Sequence, residues 1–263
     1  MKRSLFVFFA LGVLAALATA EDKPAARPAP TAAADTGVSA PPPNAPAADA
    51  KVASTSSALL RYLPPARGAP RMRVGAGTRG NGAPGARIEA LSPEDLGRTL
   101  SASPSLYWHL SQPTQARVDF TLIDPSSVSP LVERTLEGPF EAGVHRIDLT
   151  HLGVKLAPGT EYQWFVSLVP DPEERSSDVV AGGGVELVDA GALREELARA
   201  PDSQQVLVLA QNGIWYDAID ALSRRIDQTP ADPLPREQRA ALLEQVGLAD
   251  VAAAERAAPP PQQ

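Results

Sequence analysis

Tyr162-Gln163-Trp164-Phe165-Val166-Ser167-Leu168-Val169 is the stretch on which the fold turns. Tyr162, Trp164, Val166 and Leu168 recur at period two, and Phe165 and Val169 place apolar groups on the opposite side. A strand that is apolar on both faces has to be covered on both, so this one is expected at the centre of a sheet. Ala116 to Leu122 is its simpler counterpart. Ala116, Val118, Phe120 and Leu122 alternate with Arg117, Asp119 and Thr121, the mark of one buried and one wetted face. Ser105–Leu110, Leu131–Leu136, Val144–Leu149 and Gly183–Val188 complete the strand candidates. They are separated by turn-forming runs at Asp124-Pro125-Ser126-Ser127, Gly138-Pro139 and Pro170-Asp171-Pro172. Short strands at this spacing predict an antiparallel β-sandwich over 88–188.

Leu156-Ala157-Pro158-Gly159-Thr160-Glu161-Tyr162-Gln163-Trp164 resembles the tyrosine corner of fibronectin type III and immunoglobulin-like domains. In that corner a tyrosine at the start of a strand returns its hydroxyl to the backbone a few residues upstream. The resemblance makes the expected class mainly β, an immunoglobulin-like antiparallel sandwich, and gives Tyr162 and Trp164 structural roles. After Asp189 the apolar period becomes helical. Ala192–Ala200, Ser203–Gln211, Ile214–Asp227 and Arg236–Val246 are helix candidates, punctuated by Pro201, Asn212-Gly213, Pro230, Pro233, Pro235 and Gly247. They read as a small C-terminal helical hairpin region over 189–247, docked on the sandwich through Trp215, Ile219 and Leu222. Trp215 is therefore assigned to structure as well. Residues 248–263 read as a disordered tail.

The N-terminus carries a different signal. Lys2 and Arg3 precede an uncharged apolar run from Leu5 to Ala18, and Ala18-Thr19-Ala20 precede Glu21. That is the layout of a secretory signal peptide over 1–20. The run is shorter than the ~20 residues of a membrane span, so no stable membrane insertion is expected after cleavage. An exported chain, periplasmic or extracellular, follows. Residues 21–60 are an Ala/Pro-rich linker with too little apolar surface to fold alone. The sequence has no cysteine, which excludes disulfides, thiol catalysis and cysteine zinc sites. Without Lys2 and Arg3, 22 basic and 31 acidic residues leave a net charge near -9. Nucleic acid is not the partner of so acidic a chain. The expected partner is an unidentified envelope or other extracytoplasmic protein.

Residues 61–87 form a basic, Gly-rich leader with Arg61, Arg67, Arg71, Arg73, Arg79 and Arg87 and no acid. Arg71, Arg73 and Arg79 are candidate ligand contacts for an anionic lipid or glycan, weighed against pairing with the domain's own acids. Its glycine spacing fits neither a P-loop nor a dinucleotide fingerprint.

Three segments together resemble the domain of unknown function 928 family of exported bacterial proteins. They are Arg67-Gly68-Ala69-Pro70 through Gly77-Thr78-Arg79-Gly80, Tyr162-Gln163-Trp164 with Arg175-Ser176-Ser177-Asp178, and Asn212-Gly213-Ile214-Trp215-Tyr216-Asp217. The resemblance spans Arg61 to Val246 and implies a fold and an exported location, but no reaction. It implies signature roles for Arg175 and Asp178, whose plain reading is an ion pair that pins a loop. Near Arg236 a second aromatic is missing, which predicts looser packing of the last helix.

No catalytic or metal constellation stands out, and no cofactor is expected. His109, His145 and His151 lack zinc-site spacing, and no GxSxG elbow occurs. Asp171, Glu173, Glu174 and Asp178 offer carboxylates for glycoside hydrolysis, or calcium ligation, but read better as a polar loop. The expectation is a non-catalytic exported interaction module. The alternative is a hydrolase of a cell-envelope polymer, and it requires several carboxylates in one concave pocket.

Overall fold

The computed structural model describes residues 60–65, 72–75 and 85–258. The signal peptide, nearly all of the linker, and Arg67, Arg71 and Arg79 lie outside them. Eight strands come first: β1 (Ile88–Ala90), β2 (Gly97–Thr99), β3 (Ser105–Leu110), β4 (Arg117–Ile123), β5 (Val132–Leu136), β6 (Gly143–Asp148), β7 (Glu161–Val169) and β8 (Val179–Leu187). Five helices follow: α1 (Gly191–Arg199), α2 (Asp202–Gln211), α3 (Trp215–Gln228), α4 (Pro233–Gln245) and α5 (Ala249–Ala257).

The strands form a three-stranded sheet, β1-β3-β6, and a five-stranded sheet, β2-β8-β7-β4-β5. β7 lies in the middle of the larger sheet, where its two-sided apolar pattern requires it to be. Its Trp164 and Val166 have no solvent exposure, and Val118, Phe120 and Leu122 of the neighbouring β4 are equally enclosed. Buried apolar side chains from both sheets and from α2 to α5 join in one continuous hydrophobic cluster. A chain without disulfides relies on such burial.

Three features depart from the sequence reading. The larger sheet is not wholly antiparallel, because β2 runs parallel to β8, with Gly97 opposite Val185 and Thr99 opposite Leu187. β1 and β2 are three residues each, too short to show a period. The helical region is also larger than a hairpin. Residues 249–257, read as part of a tail, form α5 and bury Val251, Ala252 and Glu255.

The last helices pack tightly despite the missing aromatic. Ala240, Leu242 and Leu243 of α4 are fully enclosed. Arg239, also on α4, forks onto Glu255 of α5 through Nε (2.8 Å) and Nη2 (2.9 Å), and its Nη1 donates to Ser223 Oγ of α3 at 2.8 Å. Removing either partner would leave an uncompensated buried charge, so the pair fixes how α4 and α5 meet. The polar contact does the joining that an aromatic would otherwise do.

The leader does not stand apart from the fold. Val74 and Gly182 exchange backbone hydrogen bonds at 3.0 Å in each direction, so the leader continues the edge of β8 beyond β2. Glycines at 182, 183 and 184 allow this close approach. A Cβ at Gly183 would lie 2.3 Å from Ser92 Oγ, and one at Gly184 would lie 2.8 Å from Met72 Cβ.

Candidate functional site

The aromatic positions read as structural converge where the β-sheet meets α3. Tyr162 Oη accepts a hydrogen bond from the Ala157 N–H at 3.1 Å, the local contact of a tyrosine corner. Trp164 Nε1 donates to Tyr216 Oη at 2.9 Å, and Tyr216 donates in turn to the Gly184 carbonyl at 2.7 Å. Ser92 Oγ lies 3.3 Å from the same hydroxyl. Trp215 Nε1 donates to the Leu91 carbonyl at 2.8 Å, and its ring meets Tyr62 edge-on at 4.9 Å. Burial pushes the Tyr216 hydroxyl up to about 12, so it stays a neutral donor at any ordinary pH. Tyr216 is the residue that sequence reasoning missed. Within Asn212 to Asp217, Trp215 drew the attention, and no pattern shows that the next side chain will thread into a β-sheet.

Arg73 grips the seam from the other side. Its Nη1 donates to the Val246 carbonyl at 2.6 Å and to the Ser92 carbonyl at 3.1 Å, with Glu94 3.7 Å from Nη2. It thus ties the leader, the β1–β2 loop and the end of α4 together, and it is mostly buried. Arg175 and Asp178 pair at 2.7 Å, and Arg175 also reaches Asp119 of β4 at 3.3 Å. That arrangement pins the β7–β8 loop to the outer face of the larger sheet. Although partial burial pushes Asp119 up, hydrogen bonds from Arg117 and Thr135 win and hold its carboxyl below the usual range.

Carboxylates do meet in one concavity, but not those of the 171–178 loop. Asp148, Asp217 and Asp220 line a polar cleft of about 60 Å³ with Thr99, Thr150 and Arg224. Each acid already has partners. Asp217 Oδ2 accepts from the Leu100 N–H at 3.0 Å. Asp220 accepts from Tyr107 Oη and from Arg224 Nε, both at 2.7 Å. Asp148 accepts from the Thr150 N–H at 2.8 Å. Burial raises the Asp217 carboxyl, while Asp148 is lowered because the Thr150 bonds outweigh its burial. Asp217, Asp220 and Arg224 lie along one flank of α3.

The histidines are separate from this cleft. His145 stacks on Trp108 at 4.5 Å, His109 is buried on β3, and His151 is exposed in a turn. Among the described residues no three His, Asp or Glu side chains are grouped to hold a metal ion. Among them, too, no helix is long and apolar enough to cross a membrane.

A second, larger cleft of about 320 Å³ opens beside β5, lined by Leu131–Arg134 and Leu152–Lys155. Among the described residues β5 pairs with β4 alone. Phe120 faces Arg134 across that pairing, so Arg134 sits on the sheet face that carries the core.

A search of curated proteins finds no match to this chain. Residues 74–256, more than half of the sequence, match the family described as Domain of Unknown Function (DUF928), and the chain belongs to that family.

Proposed function

We propose that this protein is an exported, non-catalytic interaction module, carried away from its point of export by the linker over 21–60, with an envelope or extracytoplasmic protein as partner. The observation that carries the reading is that the carboxylates of the seam cleft are engaged by the fold itself. Asp217 and Asp220 hold α3 to the strands through Leu100 and Tyr107. Their cleft, at about 60 Å³, is well below the roughly 300 Å³ at which ligand pockets begin. The two sheets are read as an immunoglobulin-like sandwich, a common scaffold for recognition. The Ala157–Tyr162 contact supports this, and the parallel β2 strand is an addition to that scheme.

The hydrolase reading keeps one observation in its favour. Asp148 and Asp217 are pushed in opposite directions, as an acid and a base would be. One experiment separates the two readings. The protein is incubated with purified cell-wall polymer while reducing ends and free amines are followed, and in parallel it is cross-linked to an envelope fraction. No release of either group, together with a discrete cross-linked complex, is the expected result. Release that Asp217→Asn abolishes without lowering the melting temperature would replace the module with the hydrolase. Export has its own check: the N-terminus of the envelope-associated protein should be Glu21, and a retained Met1 in membranes would favour an anchor.

A further inference from the structure

We infer that the free edge of β5 and the cleft beside it form the docking site for an extended, acidic peptide segment of another protein. The inference rests on the module reading and gives that module a surface and a partner chemistry.

Among the described residues β5 is hydrogen-bonded on one side only, and the row of main-chain groups on its other side can accept an added strand. The cleft of about 320 Å³ runs along it, between Leu131–Arg134 and Leu152–Lys155. Two cations, Arg134 and Lys155, line this cleft, and its one acid, Glu133, is opposite Thr121 and so belongs to the other face of the sheet. Both cations are exposed, and neither joins any ion pair among the described residues. Arg134 is the unusual one. It is opposite Phe120, whose side chain has no solvent exposure, so a cation sits on the core-facing side at the rim of a sheet. An inward-facing charge at an edge repels indiscriminate strand addition. It admits a strand that brings a carboxylate to meet it. Leu131, which lines the cleft, is 48% exposed, and Val128 is fully exposed in the β4–β5 loop that leads to it. They offer apolar anchorage next to the charges.

The occupant is a peptide, and not an anionic polymer, because a strand edge presents alternating donors and acceptors that a polysaccharide or headgroup does not match. A second copy of the chain is disfavoured by β5 itself. Two-fold antiparallel pairing centred on Glu133 or Arg134 sets like charge against like charge, which destabilises a strand pair.

The test uses the full-length chain and a fluorescent, end-blocked hexapeptide of alternating valine and glutamate. Three further probes accompany it: the valine–lysine analogue, a valine–glutamate peptide N-methylated at alternate amides, and dextran sulfate. At low salt the valine–glutamate peptide should bind about tenfold or more tightly than the lysine analogue, a difference of about 1.4 kcal/mol. Methylation should remove that binding. The double variant Arg134→Glu, Lys155→Glu should invert the charge preference with an unchanged melting temperature, since both side chains are exposed. Four results would overturn the inference: no peptide binding, equal binding of the two charge types, binding that N-methylation leaves intact, or a preference that the double variant does not alter. Dextran sulfate binding that the double variant abolishes, with no binding of the glutamate peptide, would reassign the cleft to an anionic polymer. If the peptide fails while the wild-type chain still cross-links to an envelope protein, only the β5 site is lost. If the wild type cross-links nothing, the module reading itself falls.

Discussion

Tyr162 and Tyr216 use their hydroxyls in opposite ways, and the difference sets what each is worth. Tyr162 accepts one hydrogen bond, from the Ala157 N–H. Tyr162→Phe should therefore cost about 1–3 kcal/mol, the penalty of one unpaired backbone group. Tyr216 serves both Trp164 and Gly184, so Tyr216→Phe orphans a buried donor and a buried acceptor together. Its cost should exceed that of Tyr162→Phe when the two variants are compared by urea denaturation. A Tyr216→Phe protein as stable as wild type would show that the network contributes nothing. His109 gives a pH dependence. Burial, with His145, Arg239 and Arg87 adding positive charge nearby, lowers its imidazole below the usual value. The unfolded chain then binds that proton more tightly, so His109 costs no stability above the imidazole's unfolded range, near pH 6.5. Stability falls as pH drops through that range. His109→Gln should flatten the decline in melting temperature between pH 7 and 5, and an identical decline in the variant would exclude His109 as its source.

At the scale of an element, β8 shows how a strand is shaped by what lies on it. Gly182, Gly183 and Gly184 would weaken an ordinary strand. Here they bare the backbone for the leader and for the β1–β2 loop. Gly183→Ala would drive a methyl group against Ser92, to within 2.3 Å of its Oγ. The expected loss is about 1–3 kcal/mol. Ser92→Gly removes the obstructing atoms, so the double variant Gly183→Ala, Ser92→Gly should be more stable than the two single losses add up to. Strict additivity in chemical denaturation would mean that the contact is relieved by backbone movement instead. α4 and α5 make the complementary point, with an ion pair and not a close backbone approach joining two elements.

Across the whole molecule, the leader and the helices hold the β-sheets from two directions. Tyr62 N–H donates to Gln245 Oε1 at 2.9 Å, Leu63 N–H donates to the Ala210 carbonyl at 3.0 Å, and Arg73 reaches Ser92 and Val246. For Arg73 this favours pairing within the domain over contact with an external anion. Arg73→Gln should cost about 1–3 kcal/mol, because charged hydrogen bonds to two carbonyls are lost. Arg61→Gln, at an exposed position of the same leader, should leave the melting temperature unchanged. An equal effect of both variants would point to net charge and not to the seam contacts.

The amino-acid order alone determined the elements whose pattern is local and repeated. β4, with its strict alternation, and β7, apolar on both faces, were legible, as were four of the helices between their proline and glycine stops. Trp164 and Trp215 were legible too, because large aromatics at strand and helix period belong to a core. The Arg175–Asp178 pair was anticipated from the resemblance, but Asp119 beside Arg175 and the two carbonyls that Arg73 grips were not. β1 and β2 are too short to display a period, so only the neighbours that pair with them make them strands. α5 looks like an alanine-rich tail until Glu255 meets Arg239. Asp217, Asp220 and Arg134 carry no pattern in the sequence that sets them apart. Their significance depends on a helix seated against strands and on a strand left at the rim of a sheet. Periodicity is a property of the chain, whereas the pairing of a charge, the close approach of two backbones and the freedom of an edge depend on residues far apart in sequence, and only the tertiary structure decides them.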